Sequence, residues 1–374
     1  MSTKLTERRL VTRTLLLVAA GLILGGVSSG IGRRGEVATP LSEVAAMRGA
    51  KAAAGSVPTE DSRGGRRFFF DYEVEIAARA PGGGAMHVFL PIARDTVGQR
   101  IHEVRVDSPV AGRIETEPVY GNRFWHAEIP ADHLGPIPIK VAYDVERRIL
   151  RAGDEPGDAK EAERFLASNE RVVVGHPILD PILRAIERRS PGEDKAARAR
   201  AIYDWVFENL EYKKVGTGWG NGDTFWACSE RYGNCTDFHS LFISLARTEG
   251  IPARFEMGFP IPVGRDEGTI AGYHCWVEFW LPETGWFPVD VSEAYKHPEK
   301  RELFFGVQPP DRVHFSTGRD LRLGSGHRDR PLNYFIYPYV EIAGKRADVA
   351  LRTRFHFRDR APDEERTRLA RHAD

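Results

Sequence analysis

A cysteine opening a helix-forming run, a histidine in a strand-forming run and an aspartate in the next strand constrain this 374-residue chain more than any other feature. They fall between Trp226 and Asp290, in the segments WACSERYGNCTDFHSLFISLARTEGIPAR and GYHCWVEFWLPETGWFPVD. After Asn234, Phe238, Leu241, Phe242, Leu245 and Ala246 recur at helical spacing and make one apolar stripe. Gly250 and Pro252 punctuate its end. Asn234 reads as the cap, with Asp237 in the first turn, so Cys235 falls at or near the first helical position. There the free amides and the positive end of the helix dipole stabilise a thiolate, lowering a cysteine pKa from ~8.5 into the range ~3.5 to 7.5.

Residues 254–259 alternate as a strand, with Phe255, Met257 and Phe259 on one side, and a stretch through Gly264 and Gly268 leads to the next strand. There His274, Trp276, Glu278 and Trp280 share a face while Cys275 looks the other way. Pro282 to Gly285 turn the chain, and residues 286–290 run back antiparallel. Folding about 282–284 sets Asp290 opposite a residue between His274 and Glu278. Cross-strand diagonals of ~7–8 Å keep His274 within its reach.

The rest of the chain bounds the context. Lys plus Arg and Asp plus Glu are equal at 53 each, so no net field favours nucleic acid, and none is expected as a partner. Lys4, Arg8, Arg9 and Arg13 precede LLLVAAGLILGGVSSGI, with no charge before Arg33. That pattern reads residues 1–30 as an export signal, cleaved after Ser29 with Val27 at −3, or as a membrane anchor, and places the protein outside the cytoplasm. Residues 31–66, rich in Gly, Ala, Ser, Pro and Arg, read as a flexible linker. Short β-rich runs at 68–76, 86–90, 101–106, 124–129 and 137–145 predict a small all-β sandwich over 67–147. A domain over 148–357 follows, with helices starting at Asp180 and at a Ser190/Glu193 capping box. The second presents Ala199, Ile202, Tyr203, Val206 and Leu210 and is expected beside the cysteine helix. Residues 358–374 read as a charged tail.

GNCTDFHSLFISLARTEGIPAR, GYHCWVEF and GWFPVD resemble the transglutaminase-like superfamily, in particular its exported bacterial members with a β-rich N-terminal module. The resemblance is strong over 219–290. It implies an α+β, papain-like core, with the catalytic Cys, His and Asp matching Cys235, His274 and Asp290. The chemistry implied is acyl transfer on amide bonds of a protein or peptide: Cys235 attacks, His274 protonates the leaving amine, and Asp290 orients the ring. Water or a second amine then resolves the thioester. Trp219 and Trp226 are, by analogy, candidates beside the Cys235 amide for holding the oxyanion, and Asn234 joins them at the rim. Thr236 and Asp237 depart from the bulky apolar residues of animal transglutaminases, and no acidic calcium loop is present, so no metal or other cofactor is expected.

The neighbouring residues have plainer readings. His239 lies one turn after Cys235 on the same helical face and is expected to support the site rather than act as base, and Trp276 shares the His274 face. Cys228 and Cys275 read as core residues or as a disulfide with each other. A zinc set of Cys228, Cys235, His239 and Cys275 lacks a compact Cys-x-x-Cys pair and gives the Asp290 hairpin no purpose. The glycines at 216, 218, 220 and 222 lack the Walker pattern and suit a close backbone approach or a mobile rim at the active site. The alternative to an enzyme is a catalytically silent, exported peptide- or carbohydrate-binding scaffold of the same fold.

Overall fold

The alternation along residues 68–76 becomes the strand Gly65–Ile76, whose Phe68, Phe70, Tyr72, Val74 and Ile76 are buried on one face. The computed structural model describes residues 64–78, 84–192, 194–324 and 326–361, all within one compact unit, Asp61–Asp374. The expectations for residues 1–30, for most of the linker and for 362–374 lie outside the described residues.

Strands form at each expected β run. Gly65–Ile76, Ile137–Arg148 and Gln99–Asp107 share one five-stranded antiparallel sheet, and Met86–Ile92, Arg123–Ile129 and Arg113–Thr116 belong to another. The dividing line expected at 147/148 is crossed by both sheets. Leu351–Asp359 pairs with Gly65–Ile76, and Glu267–Thr269 pairs in turn with Leu351–Asp359. Tyr339–Ile342 pairs with Met86–Ile92. The physical reason is edge satisfaction: the first strand offers hydrogen bonds on two sides, and the C-terminal strand fills one of them. Gly65 and Arg66, expected in the linker, and Arg358 and Asp359, expected in the tail, accordingly lie in strands. Phe70 packs on Phe259 and Phe315, with ring centroids 5.5 and 5.8 Å away, so the apolar cores merge as well.

The second layer is a four-stranded antiparallel sheet in the order Gly285–Val289, His274–Leu281, Ala253–Pro260, Arg312–Thr317. Cys275, Val277 and Phe279 turn one of its faces toward the helix Cys235–Thr248, where Phe242 meets Phe279 at 6.1 Å. Every residue of that helix from Cys235 to Arg247 is buried, because Lys195–Asn209, Thr224–Glu230 and Val291–Lys296 pack around it. Burying Phe238, Leu241, Phe242 and Leu245 contributes roughly 2 kcal/mol each, and Phe242→Ala would cost about 3–5 kcal/mol. The helix Lys195–Asn209 lies beside it as expected, but Asp194 caps it through Ala196 N. Gly192 has φ +111°, which breaks the helical path after Ser190; Glu193 lies outside the described residues.

Candidate active site

The start of the cysteine helix is fixed by reciprocal capping. Asn234 Oδ1 accepts from Thr236 N at 2.9 Å, and the Asp237 carboxylate accepts from Asn234 N at 2.9 Å. Asp237 also takes the amides of Gly220 at 2.7 Å and Gly222 at 3.1 Å. It therefore ties the glycine loop to the first turn of the helix. A side chain at Gly233 would place Cβ 2.1 Å from the Asp237 carboxylate, and at Gly222, where φ is +59°, 2.5 Å from Ser240 Oγ. Only glycine permits that approach. Arg319, 1% exposed, reaches over the loop and donates to the carbonyls of Gly222 and Asn221 at 2.9 Å each.

The hairpin supplies the other two groups. Val277 pairs with Val289 and Leu281 with Gly285, which sets Asp290 across from Trp276 and diagonal to His274. His274 Nε2 lies 2.6 Å from Asp290 Oδ2, leaving Nδ1 as the ring nitrogen for Cys235. Asp290 is fixed in turn by caps and cations. It N-caps the helix Val291–Lys296 by accepting from Glu293 N at 3.0 Å, and it accepts from Ser292 Oγ at 3.1 Å and Arg312 Nη1 at 3.1 Å. His239 Nε2 lies 3.4 Å from its other oxygen.

Electrostatics then separates the roles. Burial pushes the Cys235 thiol up, but hydrogen bonds from Cys275 and His274 and the His274 charge hold it well below the ordinary thiol range. Burial works against the His274 cation too, yet Asp290 overcomes it and raises the imidazole from 6.5 to about 9. Asp290, despite its burial, is held well below the usual carboxylate range by His274, His239 and Arg312. Cys275 goes the other way: burial and the adjacent Cys235 push its thiol well above the ordinary value. Of the two neighbouring sulfurs, Cys235 is therefore the more acidic, and Cys275 Sγ donates to Thr236 Oγ1 at 3.9 Å.

The structure brings together Cys235, His274, Asp290, Asn234 and His239, and corrects the indole assignment. Trp219 Nε1 donates to Gly216 O at 3.1 Å and Trp226 Nε1 to Tyr232 O at 2.9 Å, so neither N–H is free for an oxyanion. The glycine loop turns its own Gly216 carbonyl toward Trp219, whereas Trp226 is met by the Tyr232 carbonyl just before the cysteine helix. Asn234 Nδ2 donates to Tyr273 Oη at 3.0 Å, and Tyr273 Oη also meets Thr236 Oγ1 at 2.9 Å. The Cys235 amide, as the first in the helix, has no intrahelical acceptor. Cys228, Cys235 and Cys275 are all free thiols, with no disulfide between Cys228 and Cys275. His239 Nδ1 sits 3.4 Å from Cys275 Sγ, bridging that thiol to Asp290. Trp276 stands beside His274 with centroids 6.3 Å apart, its ring under Arg312. Arg312 and Ser292 were not foreseen; the Asp290/Glu293 spacing is itself a capping signal that points to Asp290 as an N-cap.

A cysteine at a helix start beside a histidine–aspartate hairpin on an antiparallel sheet makes an α+β core. Residues 184–291 match the model of the transglutaminase-like superfamily, a span that includes all three groups. An uncharacterized protein of Haemophilus influenzae is 30% identical over 179 residues, covering 39% of this chain and 48% of that protein. The uncharacterized protein YebA of Bacillus subtilis is 30% identical over 77 residues, covering 18% of this chain and 10% of that one. The chain thus spans about half the length of the first and a tenth of the second. Among solved structures, "a Putative Cysteine Protease from Cytophaga hutchinsonii" shares the fold. It has a TM-score of 0.52 at 16% identity, over 79% of this chain and 98% of that one. The periplasmic domain of TgpA from Pseudomonas aeruginosa aligns at 15% identity with a TM-score of 0.33, over 62% of this chain and 90% of that one.

Proposed function

We propose that the protein is a thiol-dependent acyltransferase or hydrolase acting on amide bonds of protein or peptide substrates, and that it works outside the cytoplasm. The observation that carries the reading is the 2.6 Å bond from His274 to Asp290 beside a Cys235 held as thiolate at a helix start. The Cys235 thiolate adds to the amide carbonyl, and the oxyanion forms against the Cys235 amide. The carbon–nitrogen bond then breaks as His274 gives its proton to the leaving amine. A thioester remains. Water or an amine attacks it, His274 takes the incoming proton, and the acyl group leaves with the thiolate restored. Hydrolysis is the favoured branch, since water is always present. Cys235 is 2% exposed, so a substrate must displace part of the rim formed by the glycine loop and Tyr273 to reach the sulfur. The extracytoplasmic placement rests on the basic and apolar pattern before Arg33. Among the described residues no helix is long and apolar enough to cross a membrane.

The test is acylation itself. Glutamine-containing and other peptides are incubated with and without a fluorescent primary amine, and a mass shift at Cys235, ammonia or amine release, and amine incorporation are followed. Products should form with the native chain and vanish with Cys235→Ala. Absence of any thioester or product, together with an inert Cys235, would leave the silent scaffold as the better reading.

A further inference from the structure

The face of the His274–Leu281 strand opposite the cysteine helix looks into a second space. Trp276 and Glu278 point away from Cys235 and, with Arg147, Glu256, Gln308 and His314, floor a cavity of about 310 Å³. Its mouth is formed by Thr96, Val97, Glu161 and Arg164, which are exposed or half-buried. Such a volume lies at the small end of ligand pockets.

The charges in this cavity are unevenly matched. Arg254 takes three carboxylates: Glu155 at 2.7 Å, Glu256 at 2.9 Å, and Glu278. Arg94 and Arg147 pair with no carboxylate among the described residues. Arg94 reaches only the carbonyls of Asp95 and Tyr120, at 3.5 Å each, and Arg147 donates to the neutral Gln308 side chain at 2.6 Å. Arg147 is 2% exposed, and Glu256 and Glu278, both bonded to Arg254, act on it only at longer range; a buried guanidinium with no bonded anion is costly. Its Nε, together with Trp276 Nε1 and Gln308 Nε2, has no partner within the protein among the described residues. All three are buried N–H donors lining one space. An unmatched cation and a surplus of donors call for acceptor oxygens carrying negative charge. The indole walls of Trp276 and Trp286 and the ring of Phe165 add apolar surface that a bare inorganic anion would not use.

We propose that this cavity is a binding site for a small organic carboxylate, held by Arg147, Gln308 and Trp276 on its floor and by Arg94 nearer the mouth. The site is separate from Cys235 and does not depend on the chemistry there.

Calorimetric titration of the full chain with glutamate, glucuronate and phenylacetate tests it, with glucose and inorganic phosphate as controls. At least one carboxylate should bind at millimolar concentration or below, and more tightly than either control. Arg147→Gln should weaken it roughly ten- to hundred-fold, as expected for a lost hydrogen bond between charged groups. Trp276→Phe keeps an aromatic ring but removes the indole N–H together with the fused five-membered ring, and should weaken it about five-fold or more; it decides the matter if Arg147→Gln fails to fold by thermal melting. The proposal is overturned if no carboxylate binds the native chain, if glucose or phosphate binds as tightly as the best carboxylate, or if Trp276→Phe binds unchanged. A crystal structure grown with the best carboxylate and showing only ordered water on Trp276 and Gln308 would overturn it equally.

Discussion

Asp290→Asn isolates the electrostatic step on which the thiolate depends. Asparagine caps a helix about as well as aspartate, so the hydrogen bond to Glu293 N, and with it the helix Val291–Lys296, should persist. What disappears is the negative charge 2.6 Å from His274. Asp290 is the chief influence raising His274 from 6.5 to about 9 against burial, and that rise corresponds to roughly 3 kcal/mol. Without it, only the Cys235 hydrogen bond and the Glu293 charge oppose burial, and the His274 pKa falls. The imidazolium charge that holds Cys235 low is then lost at a lower pH than in the native chain. Iodoacetamide labelling of Cys235 against pH reads this directly. The midpoint should rise toward the free-thiol value of ~8.5, with the alkaline limit of acyl transfer falling below about 9.

Stability supplies a second readout. A raised His274 stabilises the fold fully below pH 6.5 and loses that contribution as pH rises through about 9. A depressed Cys235 does the reverse, contributing above the ordinary thiol value and losing it as pH falls. Between 6.5 and 9 the two cancel, because the folded pair and the unfolded pair each hold one proton. Native stability should therefore be flat across that window as far as this pair is concerned, and should decline as pH falls below about 6.5, where only the unfolded chain gains a proton. An Asp290→Asn variant whose labelling midpoint matches the native chain would refute the reasoning.

Three further outcomes are expected. Trp219→Phe and Trp226→Phe should each change the acylation rate less than about ten-fold, since removing a true oxyanion donor costs ~10²–10³ and both indoles already donate to backbone carbonyls; single-turnover kinetics decides. Asp237→Ala strands the amides of Gly220, Gly222 and Asn234 and should cost about 3–6 kcal/mol in urea unfolding, whereas a loss under about 1 kcal/mol would mean that the loop is not held there. Cys275→Ala removes a thiol hydrogen bond to Cys235 and should raise the Cys235 labelling midpoint, by less than His274→Ala does; an unchanged midpoint would remove Cys275 from the site.

The parts of this site that follow from local rules were legible in the chain. The helix start at Cys235 follows from a cap, a stripe and a stop, and the closeness of His274 to Asp290 follows from counting across one tight turn. What escaped depends on pairings distant in sequence. Nothing near Arg312 announces that it will meet Asp290, 22 residues away. Nothing near residue 351 says that its strand will complete a sheet begun at Gly65, because edge hydrogen bonds carry no sequence label. The commitment of the Trp219 indole turns on the path of the glycine loop, which is held by Asp237 and Arg319, and that of Trp226 on the Tyr232 carbonyl six residues on. Asp237 was readable in principle, since Asn234 and Asp237 have the spacing of a capping box.

The strand His274–Leu281 shows how a period of two divides chemistry from packing. Its odd residues, Cys275, Val277 and Phe279, are buried toward the cysteine helix, and there Cys275 serves as a thiol donor. Its even residues, His274, Trp276 and Glu278, face away, toward Asp290, Arg312, Glu256 and Arg254. His274 can belong to both sides only because it is the first residue of the strand, where the ring reaches past the sheet end to Cys235. Two residues further along, on the same face, Arg312 lies over the Trp276 ring. A one-residue slip of this hairpin would exchange the two faces, placing Cys275 toward Asp290 and burying the imidazole against the apolar helix. The register fixed by the short turn before Gly285 therefore determines which of the two adjacent side chains, His274 or Cys275, meets the carboxylate, and so which group can act as the acid.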